Sequence, residues 1–90
     1  MAVQRIVYFA GHVQGVGFRY TACRIARGFD VVGFVRNVPD GRVHLVAEGE
    51  PTEIDRFIEA IRSDMRGLIR EVTTNEAPAT GRFHQFDVAF

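Results

Sequence analysis

Three glycines and an arginine fall within the nine-residue run Gly11-His12-Val13-Gln14-Gly15-Val16-Gly17-Phe18-Arg19, between an alternating apolar stretch and a stretch of helical periodicity. That pattern suits anion capture. A loop that turns several backbone N–H groups toward one phosphate needs positions free of a Cβ, which Gly11, Gly15 and Gly17 supply. The helix that follows aims the positive end of its dipole at the same place. Arg19 adds a planar fork of donors that grips two oxygens at once and, as an arginine, stays charged at physiological pH. A lone first-turn arginine is ordinarily a solvated side chain. Its charge is awkward at a helix's positive end, however, and an anion relieves the conflict.

A second segment carries a different chemistry. In Gly33-Phe34-Val35-Arg36-Asn37-Val38-Pro39-Asp40-Gly41-Arg42-Val43, with Glu48-Gly49 beyond, the amide of Asn37 stands just before a Pro-Asp-Gly turn. An amide offers a donor and an acceptor together, so it can orient a water but cannot remove its proton. Taken alone, Asn37 also suits a strand end that satisfies its own backbone. In this order and at this spacing, the two segments resemble the two signatures of the acylphosphatases, small enzymes that hydrolyse carboxylic–phosphoric mixed anhydrides. The resemblance covers essentially the whole chain.

The resemblance implies that Arg19 binds the substrate phosphate together with the backbone N–H groups of Gly15, Val16, Gly17, Phe18 and Arg19, and that Asn37 positions the attacking water. It implies no cofactor, metal or covalent intermediate. The chemistry is compatible with so small a set. Hydrolysis of an acyl phosphate needs a phosphate grip, charge stabilisation and a water aimed in line with the departing oxygen. The leaving carboxylate is a weak base, with a pKa of about 4, and departs unprotonated without a general acid. The substrate is then a small acyl phosphate and the product inorganic phosphate.

Other reactive side chains have plainer explanations. His12 reads as an exposed loop histidine, and His44 and His84 fall in strand patterns. With Cys23 they show no metal-ligand spacing, so no metal site is expected. Cys23, one turn beyond Arg19, reads as partly buried filler, and Asp40 as a turn residue. Phe18 and Tyr20 could flank the acyl group, although Phe18 suits a core anchor for the loop and Phe34 a strand core position.

The elements that must hold these residues follow from periodicity. Val3 to Gly11 alternates as a strand that could be buried on both faces. Phe18, Ala22, Ile25, Ala26 and Phe29 form one stripe of a helix from Arg19 to about Gly28. Val31–Asn37 and Arg42–Glu48 read as a hairpin around the Pro39-Asp40-Gly41 turn. Pro51 suits the start of a second helix with Ile54, Phe57, Ile58, Ile61 and Met65 as its core stripe. Leu68 to about Asn75 and Phe83–Phe90 read as two further strands, with Thr73 to Arg82 as mainly a connector between them. The order predicts an α+β, ferredoxin-like βαββαβ sandwich with a mixed sheet, an extra C-terminal strand and two helices on one face. A third strand wedged between the first two puts the loop and Asn37 on one sheet edge, about 10 Å apart.

Composition narrows the remaining classes. The 90 residues suffice for one domain, residues 1–90, and 47% hydrophobic content with eight Phe supplies a core. The eleven basic residues, all Arg, balance eleven acids and are scattered, so no basic stripe suggests nucleic acid. One cysteine and the absence of a secretory or membrane-spanning apolar run point to a cytoplasmic protein with no membrane partner, expected to be a monomer. Two rival readings use the same fold. A phosphate-binding module without turnover, as in larger carbamoyl-transfer proteins, is disfavoured by the single Cys and by a chain that ends at Phe90. An RNA-binding module is disfavoured because Tyr8 and Phe9 point to opposite faces and the third strand carries no Phe, Tyr or Trp.

Overall fold

The computed structural model, which describes residues 1–90, gives each hydrophobic period its own element. In chain order these are β1 (Val3–Gly11), α1 (Phe18–Ala26), β2 (Val32–Asn37), β3 (Val43–Gly49), α2 (Pro51–Asp64), β4 (Ile69–Pro78) and β5 (Phe86–Val88). On α1 the residues Phe18, Ala22 and Ala26, spaced one turn apart, are buried, and the two alanines let the helix lie close to the sheet. On α2, Pro51 sits where a helix has no need of its N–H, Glu53 lies in the first turn and Arg62 in the last. Ile54, Phe57 and Ile61 of α2 are fully buried, with Met65 just beyond.

The sheet runs β4-β1-β3-β2-β5. β3 is antiparallel to both β1 and β2, so β1 and β2 are parallel to each other with β3 between them. β4 closes the other side of β1 antiparallel, and β5 adds to β2 in parallel, Gly33 beside Phe86 and Val35 beside Val88. This is the ferredoxin-like α+β arrangement with a fifth strand. Both helices cover one sheet face, where Val7, Phe9, Val35, Val43, Leu45 and Ala47 meet Phe18, Ala22, Ile54, Phe57 and Ile61 in a single core. The rings of Phe9 and Phe18, 4.9 Å apart, fasten the end of β1 to the start of α1.

Several expectations from sequence change. β1 is not buried on both faces: Val7 and Phe9 are buried under the helices, whereas Ile6, Tyr8 and Ala10 are half-buried on the helix-free face. Their partial cover comes from a column of flat side chains. Tyr8 stacks on His44 at 4.6 Å, His44 meets the edge of Phe34 at 5.5 Å, and Phe34 meets Phe83 at 5.8 Å. The Arg42 guanidinium lies over the Tyr8 ring, 4.2 Å from its centre. Residues 73–78 are not a connector, because β4 continues through Pro78 in register with β1 as far as Val3. The fifth strand is only Phe86–Val88, and His84 lies in the bend before it. α1 stops at Ala26, where Arg27 caps it, with Ile25 and Phe29 only half-buried.

β4 and β5 lie at opposite edges of the sheet, so the seven residues 79–85 between them must cross its width. Four strand spacings are about 19 Å, within reach of a nearly extended segment of that length. The crossing runs over the helix-free face, where Phe83 reaches Phe34. Glu48, on β3 and 4% exposed, holds it there. Its carboxylate accepts hydrogen bonds from Gln4 Nε2 (2.7 Å), the Thr80 backbone N–H (2.9 Å), the Thr80 hydroxyl (2.9 Å) and the Gly81 N–H (3.1 Å). Desolvation pushes this carboxyl up, but the four hydrogen bonds outweigh it and hold Glu48 below its ordinary value of 4.5. A carboxylate depressed on folding contributes stability above its unfolded value, and that contribution is lost as pH falls through the folded value. Glu48→Gln is therefore expected to lower the unfolding free energy at pH 7 by about 1–3 kcal/mol. Denaturant titrations at pH 7 and pH 3 should show the difference from the parent protein shrinking at the lower pH.

Candidate active site

The loop after β1 is built with its side chains down and its N–H groups free. Val13 (1% exposed) and Phe18 (3% exposed) are buried beneath it, and Val16 packs partly against the same core. Between these anchors the chain must reverse within a few residues. Gly15 at φ +77° and Gly17 at φ +78° make the reversal in the left-handed region, which residues with a Cβ rarely adopt. A Cβ at either position would meet nothing within 4 Å, so these glycines are required by backbone angle and not by space.

The consequence is a row of unclaimed donors. The first hydrogen bond of α1 runs from Thr21 N–H to Gly17 O at 2.9 Å, and no backbone carbonyl accepts from Gly15, Val16, Gly17, Phe18 or Arg19. Gly17 caps the helix with no side-chain acceptor, and the first turn contains no acid. The helix dipole and the loop N–H groups thus present uncompensated positive charge to solvent. Arg19 adds to it, since none of the ion pairs of the fold includes this residue. Its one close partner is the exposed ring of Phe90, with the guanidinium carbon 5.6 Å from the ring centre.

Asn37 ends β2 opposite Val43, the start of β3. Beyond it the chain turns tightly: Val38 N–H donates to Arg42 O at 2.9 Å and Gly41 N–H to Val38 O at 3.0 Å. Asp40 does what its turn position asks, accepting from Arg42 N–H at 3.0 Å and Arg42 Nε at 2.8 Å, and these bonds hold its carboxyl below the usual range. The turn is also tied to the loop. Gln14 Nε2 donates to Val38 O at 2.7 Å and to Arg42 O at 2.9 Å.

Loop, helix start and strand end face one cleft of about 360 Å³. Val13, Gly15, Gly17, Phe18, Arg19 and Asn37 line one side of it. Of the phosphate-site residues singled out from sequence, Val16 turns its side chain toward the core and Gly11 lies outside the cleft, ending β1 where a Cβ would meet Leu68 O at 2.5 Å; the others line it. Of the other side, the sequence offers only Tyr20, as a flank of the acyl group. Tyr20 and Cys23 reach it from α1, and Asp87, Val88 and Phe90 from the last strand and its continuation. The one available signal was helical spacing, which sets Tyr20 and Cys23 a turn apart on the face bearing Arg19. Cys23 is half-buried; burial pushes its thiol up, nearby Asp87 adds to this, and Arg27 opposes it. A thiol so placed is a weak nucleophile and wall material.

The remaining histidines sit outside the cleft. His12 is exposed, its N–H bonded to Leu68 O at 2.8 Å. His44 is 9% exposed and accepts from Arg36 Nε at Nδ1, 3.0 Å; desolvation, and then the charges of Arg36 and Arg42, lower its pKa. No three His, Cys, Asp or Glu side chains converge anywhere in the fold. His44 also supplies the flat ring on β3 that an RNA platform would need, but it is packed between Tyr8 and Phe34, and Arg42 lies over Tyr8. Those stacking surfaces are used within the protein.

Fold and cleft together define a small ferredoxin-like domain whose cleft is lined by unclaimed backbone donors and one arginine without an acidic partner. The acylphosphatase family profile matches residues 5–88. An acylphosphatase of Archaeoglobus fulgidus is 40% identical over 85 residues, which span 93% of this chain and 94% of the relative. The crystal structure of acylphosphatase from Bacillus subtilis superposes with a TM-score of 0.86 at 32% identity, each chain covered in full. A full-length HypF in its phosphate- and nucleotide-bound form superposes equally well, TM-score 0.86 at 26% identity, over all of this chain and 12% of its own. The chain belongs to the acylphosphatase family. It is a hydrolase that acts on acyl phosphates. No helix is long and apolar enough to cross a membrane.

The unclaimed donors give a binding test. Inorganic phosphate at ten times its dissociation constant is expected to add about 1.4 kcal/mol of stability. In a domain of this size that raises the thermal midpoint by about 5–10 °C. Chloride at equal ionic strength should not reproduce the shift, and Arg19→Ala should lose it in scanning fluorimetry.

Proposed function

We propose that the cleft hydrolyses the carboxyl–phosphate bond by in-line attack of water without a metal, with Arg19 and the N–H groups of Gly15, Val16, Gly17, Phe18 and Arg19 holding the phosphate. The observation that carries this reading is the run of backbone donors with no acceptor in the protein, next to an arginine with no acidic partner. Such donors are fixed before substrate arrives, so charge developing on the equatorial oxygens is met without reorganisation. Asn37, at the same sheet edge, orients the water on the side opposite the departing carboxylate. Its amide can align the water and cannot deprotonate it, so the proton passes to a phosphate oxygen of the substrate. The carboxylate leaves unprotonated, and no residue is asked to act as general acid.

The acyl group lies against the half of the cleft formed by Tyr20, Cys23, Asp87, Val88 and Phe90, where Tyr20 and Asp87 are the only strongly polar side chains to fix one particular acyl chain. Broad acyl specificity follows. Residues 1–90 carry every group this mechanism uses, so the protein is proposed to act as one domain, as a monomer and in the cytoplasm.

Kinetics on benzoyl phosphate in the presence of a chelator test each part. The parent protein should turn over, and Arg19→Ala should lose measurable binding and turnover together. Asn37→Ala should lower kcat by about 10²–10³-fold while phosphate still inhibits, because the grip survives. An Asn37→Ala variant with near-normal kcat contradicts the water-positioning role.

A further inference from the structure

The two halves of the cleft come from strands that do not touch. β1, which leads into the phosphate loop, pairs with β3 and β4, while β2, which ends in Asn37, pairs with β3 and β5. Through β3 the ladders set the strand ends, with Phe9 and Asn37 both opposite Val43, but no ladder hydrogen bond extends past Gly11 into the loop that faces Asn37. The loop's own N–H groups at Gly15 to Arg19 are uncommitted, and so do not fix its distance from Asn37 either.

Gln14 spans the gap. Its side-chain amide donates both hydrogens from the loop to the turn after β2, to Val38 O at 2.7 Å and Arg42 O at 2.9 Å. These carbonyls are the two that already close the turn, accepting from Gly41 N–H and Val38 N–H. Each has a second lone pair, and Gln14 takes it. The first belongs to the residue next to Asn37, so the bond sets the backbone that carries the Asn37 side chain. Gln14 itself lies one residue before Gly15, the first of the phosphate-facing donors.

We propose that Gln14 is a positioning residue for hydrolysis, fixing the spacing between the bound phosphate and the water held by Asn37. This rests on the reading above, in which the loop holds phosphate and Asn37 holds water. A water misplaced by about 1 Å loses the near-attack geometry, which costs about 10²-fold in rate. The phosphate grip, made by other groups, stays intact. Only an amide of this length serves. Methionine has the same reach and no donor, and glutamate presents an oxygen to two carbonyl oxygens.

The test is a double-mutant cycle. Gln14→Met is expected to lower kcat about 10–100-fold, with the inhibition constant of inorganic phosphate within about threefold of the parent. Gln14→Glu should lose at least as much. In an Asn37→Ala background, Gln14→Met should cost less than about twofold, because the water whose placement it governs is no longer held. Circular dichroism and thermal melts confirm folding, and Gln14→Ala replaces the methionine variant if that one does not fold. Three results overturn the inference: unchanged kcat in folded Gln14→Met, a full additive loss in the Asn37→Ala background, or a parallel loss of phosphate affinity. If Asn37→Ala alone is fully active, the reading of the site fails instead, and the two failures are told apart by that single variant.

Discussion

The position of β3 governs everything else in this structure. Wedged antiparallel between β1 and β2, it makes those strands parallel and brings their ends to one sheet edge. The loop from one and Asn37 from the other then face a common cleft, although they lie far apart in sequence. β3 earns its place through burial: Val43, Leu45 and Ala47 are fully buried beneath the helices, and His44, Val46 and Glu48 are buried on the opposite face. A strand covered on both faces is strongly held in register, because a one-residue slip would exchange the two sets. It would drive Glu48 toward the apolar core and bring Leu45 among Tyr8 and Phe34.

Against this rigid frame, the loop is a place where stability is given up. The arginine at a helix's positive end works against folding, and the left-handed glycines add the backbone entropy that a glycine loses when it is fixed. They are tolerated because neighbouring residues over-determine the loop. Val13 and Phe18 are sunk in the core at its two ends, Phe9 contacts Phe18, and Gln14 ties its middle to the hairpin turn. The local conflict is concentrated where the cleft opens and is held in place by the packing around it.

How much of this was legible in the sequence depended on the range of each interaction. The loop, both helices and the hairpin have local signals: Gly15, Gly17, Pro51 and the Pro39-Asp40-Gly41 turn punctuate the chain where the structure bends. The arrangement of the first three strands followed from their order and from handedness, and so did the meeting of loop and Asn37 on one edge, whereas the place of the fifth strand beside β2 did not. Contacts made across the sheet were not legible. The column of Tyr8, His44, Phe34 and Phe83 joins three strands and a connecting segment, and no periodicity within one strand reveals it. The extension of β4 beyond Asn75 to Pro78 was hidden because the polar run from Thr73 onward on an edge strand looks like a loop. Glu48 reads as an ordinary strand-end acid until the crossing segment at Thr80 and Gly81 is seen to close on it. The far wall of the cleft was missed for the same reason, since Val88 and Phe90 arrive there from the opposite end of the chain.

The pairing of β1 with β4 has a consequence for the order in which the molecule is made. Val3 lies beside Pro78, so the pairing of β1 is completed only by β4, which is made after both helices. At about 5–20 residues per second, some 3–12 s separate synthesis of the two. During that interval β1 has at most β3 for company and presents an open row of backbone groups to any other extended chain. A topology that gathers its site at one sheet edge thereby leaves the nascent protein dependent on its surroundings, and its interval of greatest exposure is set by the pace of translation.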